Sequence, residues 1–139
     1  MANGTFQLEL VSPERLLLSR QVEMAVIPAA EGEMGVLPGH SPMVVALRGG
    51  VISVRENGAE SERLFVAGGF AEVSPDRCTV LADEATPVAD VSRAEAERRL
   101  AEAEAALSEV TAADTPERRD LAMARVQSAR AMRDAAGAA

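Results

Sequence analysis

Lysine, tryptophan and tyrosine are absent from the 139 residues, and cysteine and histidine occur once each. All fourteen basic residues are therefore arginine, set against 22 acidic residues for a net charge of −8. So acidic a chain, with Phe6, Phe65 and Phe70 as its only aromatics, lacks the basic footprint and the stacking platforms that nucleic acid demands, which argues against that partner. Without lysine there is no phosphate-binding Gly-x-x-x-x-Gly-Lys-Ser/Thr loop. One cysteine forms no internal disulfide, which fits a reducing compartment, and one Cys with one His makes no zinc site. A nucleophilic triad needs Ser or Cys backed by His. The one histidine, His40, sits in a turn, and Cys78 lies in the strand-like run RCTVLAD, where it reads as a small buried hydrophobe. No catalytic residue, metal ligand or cofactor site is expected. The longest apolar runs, such as Met43 to Leu47, are far below the ~20 residues a bilayer requires. The start, MANGTFQLEL, shows no basic segment followed by an apolar one, so the chain is expected to stay in the compartment where it is made.

What the chain does contain falls into two halves. Up to about residue 90 the pattern has period two: Phe6, Leu8 and Leu10 alternate with polar neighbours, Val22, Met24 and Val26 repeat the spacing, and Ile52 and Val54 alternate with Val51, Ser53 and Arg55. Turn signals recur roughly every ten residues, at Ser12-Pro13, Pro38-Gly39, Gly49-Gly50, Asn57-Gly58, Gly68-Gly69 and Ser74-Pro75-Asp76, an interval that suits a β-sandwich or barrel. After Pro87 the composition turns to alanine, glutamate and arginine. Ser92 and Glu95 have the spacing of a capping box, and Ala96, Leu100, Ala103, Leu107 and Val110 form one helical stripe. Thr115 as N-cap and Pro116 at the first helical position open a second helix to about 135, burying Ala122, Val126, Ala129 and Met132. The expected fold is a β-sandwich over residues 1–88 followed by an antiparallel two-helix hairpin over residues 89–139. Alanine contributes little apolar area at ~25 cal/mol per Å², so the hairpin should be marginal alone and its docking easily reversed. A plain helical cap and a mobile arm both remain open.

Residues 31–42, EGEMGVLPGHSP, pack three glycines, two prolines and His40 between apolar runs, which predicts a loop of defined shape. Glu31 and Glu33 flank Gly32 with no further ligand nearby and read as solvated loop charges. A lone histidine in a contact loop can sense pH or bond a partner, or simply bond the backbone of its own turn. The second helix carries Arg118, Arg119, Arg125, Arg130 and Arg133 against Glu117, Asp120 and Asp134. That net positive helix either neutralises the acidic first helix or reaches an acidic partner.

The segment EGEMGVLPGHSP, with LFVAGGFAEVSPDRCTVLADEA from Leu64 to Ala85, closely resembles the epsilon subunit family of bacterial and chloroplast F-type ATP synthases, called delta in mitochondria. The resemblance covers essentially the whole chain and is strongest from Phe6 to Ala85. It implies a non-catalytic central-stalk subunit of a proton-translocating synthase, peripheral on the cytoplasmic face of the bacterial inner membrane, that clamps the gamma subunit to the ring of c subunits. Glu31, Glu33 and His40 become the contact residues toward ring and gamma. In the family the C-terminal helices can extend into the catalytic head and restrain ATP hydrolysis, which makes Arg118, Arg125, Arg130 and Arg133 candidates for contact with the alpha and beta subunits. Members that bind ATP between the helices carry Ile/Leu-Asp-x-x-Arg-Ala. Matched to the stretch Asp114 to Arg119, that motif finds Thr115 and Arg119 in place of aspartate and alanine, which counts against a bound nucleotide. The competing reading is a free-standing sandwich adapter with a helical tail.

Overall fold

A computed structural model describes residues 4–138, the last by its backbone alone; residues 1–3, the first of the stretch searched for a leader, and residue 139 lie outside the described residues. Ten strands come first: β1 (Phe6–Val11), β2 (Leu16–Val22), β3 (Met24–Ala29), β4 (Gly32–Val36), β5 (Met43–Leu47), β6 (Gly50–Glu56), β7 (Ala59–Val66), β8 (Gly69–Val73), β9 (Arg77–Ala82) and β10 (Ala85–Pro87). A 3-10 turn at Val88–Asp90 leads to α1 (Arg93–Ser108) and α2 (Pro116–Ala138).

The strands run in the order β10-β7-β6-β3-β5-β8-β9-β1-β2, with β4 branching from β3. Every pairing is antiparallel except that of β1 with β9. The tight β6–β7 hairpin turns on Asn57 and Gly58, both at positive φ (56° and 78°), the pairing that matches strand twist. The sheet folds over on itself into a half-barrel sandwich, and Arg20 on β2 ties its ends together. That guanidinium donates from Nη2 to Glu62 on β7 at 2.9 Å, while its Nε lies 3.0 Å from Glu56 but off the line of a hydrogen bond.

Period two places the core as the alternation predicts in β1 and β6, where Phe6, Leu8, Leu10, Ile52 and Val54 are all buried. In β3 the outcome differs. Val22 is buried, but Met24 and Val26 are only half-buried, and Ala25 and Ile27 point inward in their place. Glu23 is the reason: its N–H bonds Arg55 O at 2.9 Å in a break between β2 and β3, which offsets the pattern by one residue. Residues 31–42 also differ from expectation, since Gly32–Val36 is a ladder strand on β3 and not part of one continuous loop.

The helices begin as their capping residues dictate. Ser92 Oγ accepts from Glu95 N at 3.1 Å, and Thr115 Oγ1 accepts from Arg118 N at 3.2 Å. Only half of the capping box forms, because the Glu95 carboxylate turns to Arg98 and Arg99. Helix α1 stops at Ser108, two residues short of Val110. Leu100 and Ala103 of α1 pack on Val126 and Ala129 of α2 as a small apolar cluster of the hairpin alone. A second cluster joins hairpin to sandwich through Phe65, Val88, Ala96, Met132 and Ala135.

Candidate partner-docking surfaces

Strand register assembles a feature that no single strand displays. On the outer face Ala46 stands opposite Phe70, Phe70 opposite Leu81, Leu81 opposite Val11, and Val11 opposite Leu16. One apolar row thus crosses β5, β8, β9, β1 and β2. Phe70, Leu81 and Leu16 keep 57%, 53% and 56% of their surface exposed. The next row outward is Val44, Glu72, Thr79, Glu9 and Ser19, so the face grades from apolar to polar along the strands. At its polar end Gln7 donates to Ser19 at 2.9 Å, Gln21 donates to Gln7 at 3.0 Å and Arg77 pairs with Glu9 at 2.7 Å. Continuous exposed apolar surface rimmed by polar groups is the usual mark of an interaction site. Sequence reasoning missed Phe70, Leu81, Val11 and Leu16, because alternation assigns faces within a strand but not the alignment between strands.

Glu31 occupies the β3–β4 turn and Glu33 lies on β4, both exposed. With Met34, Met43 and Val44 they line a groove of about 450 Å³. Glu33 also borders a depression of about 440 Å³ shared with Arg48, Arg63 and Arg130. His40 stands apart from both carboxylates, beyond the far end of β4, a five-residue strand that spans ~16 Å. Its N–H donates to Leu37 O at 3.2 Å and its ring Nδ1 lies 2.9 Å from Ser41 O, so the imidazole is engaged with its own turn. Gly39 N donates to Pro75 O at 2.7 Å, which ties that turn to the Ser74-Pro75-Asp76 turn of the second signature segment.

The four arginines of α2 have separate surroundings. Arg118 pairs with Asp114 at 3.4 Å, Arg133 with Asp134 at 3.3 Å, and Arg130 crosses to Glu104 of α1 at 3.7 Å. Arg125 lines a cleft of about 510 Å³ between hairpin and sandwich, with Arg99, Glu102 and Leu121. In α1, hydrogen bonds from Arg98 and then Arg99 hold the Glu95 carboxyl below its usual range. Hydrogen bonds to Glu84 and Glu95 keep Arg99 charged far above any physiological pH. Burial pushes the Cys78 thiol up to about 11. No group of three metal-ligating side chains occurs among the described residues. The order Asp-x-x-Arg-Ala does occur in the chain, at Asp90-Val91-Ser92-Arg93-Ala94, a match that a reading centred on Asp114 passes over. Asp90 is exposed there, and Arg93 lies 3.9 Å from Glu97.

A strand-rich sandwich carrying a C-terminal helical pair, with its exposed apolar row on the sandwich, defines the class of fold. A family model for the ATP synthase delta/epsilon chain, beta-sandwich domain, matches residues 5–88, and the chain belongs to that family. It is 68% identical over 76 residues to the ATP synthase epsilon chain of Granulibacter bethesdensis, a stretch covering 55% of this chain and 56% of that one, so the match spans little more than half the relative's length. Against the ATP synthase epsilon chain of Gluconacetobacter diazotrophicus it is 48% identical over 131 residues, covering 94% of this chain and 92% of the relative. Among solved structures, a chain of the Euglena gracilis mitochondrial ATP synthase, determined as OSCP, F1 and c-ring in one rotational state, superposes with a TM-score of 0.74 at 24% identity. That superposition covers 95% of this chain and 81% of the Euglena chain, and it speaks to the fold.

Proposed function

We propose that this chain is the central-stalk subunit that couples gamma to the ring of c subunits in a proton-translocating ATP synthase. In this reading it carries no catalytic residue and no cofactor, and it sits peripherally on the cytoplasmic face of a bacterial inner membrane. Residues 1–88 form the coupling body and residues 89–139 a helical unit upon it. The observation that carries the proposal is the row Ala46, Phe70, Leu81, Val11 and Leu16, an apolar face of the family's sandwich awaiting a partner. Gamma is the partner assigned to it. Glu31 and Glu33, beside the groove with Met43 and Val44, supply contacts toward the polar loops of the ring, and His40 shapes the second contact turn. Torque transmission calls for a body that does not shear, and long-range pairing such as that of β1 with β9 supplies one.

The helical unit is assigned a regulatory role, with Arg118, Arg125, Arg130 and Arg133 as its contacts toward alpha and beta. The pairs that three of these arginines make within the hairpin are exposed and individually worth under ~1 kcal/mol, so an acidic partner can displace them. Co-purification with gamma and the c-ring, followed by restoration of proton-coupled synthesis to a complex depleted of this subunit, tests the coupling role. A chain that binds neither partner and restores nothing is instead a free-standing adapter. Removal of residues 92–139 should raise ATP hydrolysis while leaving assembly intact, and unchanged hydrolysis would reduce the hairpin to a cap.

A further inference from the structure

The three apolar clusters among the described residues divide the chain mechanically. The sandwich has its own core, the hairpin has its own cluster, and among the described residues five buried ones, Phe65, Val88, Ala96, Met132 and Ala135, join the two, rimmed by the half-buried Val51, Ala67, Val91 and Ala131. Such a joint is small, and three of its five buried members are alanine or valine. Apolar contact of this kind has little directional preference, so by itself it leaves the hairpin free to slide or lift.

Polar contacts supply what the apolar joint lacks: Arg99 of α1 bridges to Glu84 of the sandwich at 2.7 Å, and α2 is held directly to the backbone of the sheet. The Gln127 amide grips both backbone groups of Gly49: its Oε1 accepts from Gly49 N at 3.0 Å and its Nε2 donates to Gly49 O at 2.7 Å. One residue on, Ser128 Oγ donates to Ala67 O at 3.2 Å. Gln127 therefore completes the β5–β6 turn as a neighbouring strand would, using a side chain in place of a backbone. The approach requires glycine, since a Cβ on residue 49 would lie 2.5 Å from Ser128 Cα and 2.7 Å from its hydroxyl. Gly49 is also buried beneath the helix. A bidentate amide on a backbone edge accepts one helix position and one rotation only, because both bonds fail together when α2 shifts.

We infer that the Gln127 amide and Gly49 form a latch that fixes α2 on the sandwich and governs whether the hairpin is docked. The inference goes beyond the coupling role and stands without it, because the latch is a property of the isolated chain. Its release leaves Phe65, which the hairpin covers to 1% exposure, facing solvent. It leaves the cluster of Leu100, Ala103, Val126 and Ala129 intact, so the helices move as a pair.

Amide hydrogen exchange on the isolated full chain, resolved by residue, tests the latch. Gln127→Ala removes two hydrogen bonds and should raise exchange across α2 by about 10- to 30-fold while β1, β6 and β9 keep their protection. Gly49→Ala, which leaves the glutamine in place but forces the helix away, should give the same local pattern. Asp120→Ala, at an exposed position of α2 remote from Gly49, should leave the protection of helices and strands unchanged. Unaltered α2 protection in Gln127→Ala overturns the inference. So does a uniform rise across strands and helices, since the contact would then support the whole fold and not a separable dock. Failure of the chain to bind gamma would bear on the coupling role and leave this result standing.

Discussion

Truncating Phe70 to alanine probes the proposed gamma surface most directly, because the side chain lies in the middle of the apolar row and outside the core. A phenylalanine presents ~200 Å² when fully exposed. At 57% exposure Phe70 has roughly 115 Å² left for a partner to cover. At ~25 cal/mol per Å² that surface is worth about 3 kcal/mol on docking, of which the alanine methyl retains a part. The expected loss is therefore 2 to 3 kcal/mol, a rise of about 30- to 150-fold in Kd for gamma. Stability of the free chain should change by no more than about 1 kcal/mol, the usual range for a half-exposed strand position. Titration calorimetry of the variant against purified gamma, with thermal unfolding of the chain alone, reads both quantities. A Kd within about twofold of the parent, with the fold intact, refutes the assignment of gamma to this face. A matched loss of stability refutes the description of Phe70 as an outer residue.

Two further outcomes follow from titratable groups. Cys78 has a folded pKa of about 11 against an ordinary 9.0, so burial favours the neutral thiol; the stability this represents is whole below pH 9 and is lost as pH rises through 11. At pH 8 the folded chain should accordingly resist a thiol-specific disulfide reagent, labelling only as fast as it opens, and prompt reaction without denaturant would contradict the burial. In the hairpin, Glu95 is lowered by Arg98 and Arg99, and Asp114 chiefly by the Thr111 N–H that donates to it at 2.8 Å. Stability from these two groups is present above their ordinary values of 4.5 and 3.8 and is lost as pH falls through their lower folded values. Acid should thus loosen the helices ahead of the sheet, visible as loss of helical circular dichroism while strand amide resonances persist; simultaneous loss of both would refute it.

Local chemistry made much of this fold readable from sequence. Alternation in β1 and β6, the Asn57-Gly58 turn and the hydroxyls of Ser92 and Thr115 act within a few residues of themselves, and each appears where its pattern predicts. Features that depend on distant partners were not readable. The offset at Glu23 is set by a bond to Arg55, more than thirty residues on, and the strand Gly32–Val36 exists because β3 offers it a ladder despite its two glycines. The same limit hid the candidate surfaces. Phe70 and Leu81 look like ordinary strand residues until register aligns them with Val11 and Leu16. Gln127 reads as a solvated helix residue until Gly49 arrives beneath it. Glu31, Glu33 and the arginines of α2 were visible by charge alone, but their distribution over a groove, a depression and a cleft required the fold.

The parallel pairing of β1 with β9 also constrains how the chain is born. Leu8 lies opposite Cys78, so β1 on a growing chain has a neighbour in β2 but none on its other edge until some seventy more residues have followed. Closing so long a loop is entropically slow, and a two-stranded ribbon whose β1 edge stands open is a template for wrong pairing in the interval. Synthesis of this subunit therefore carries a window of vulnerability that closes only when β9 is complete, and nascent chains halted within it are the ones that chaperones should be found holding.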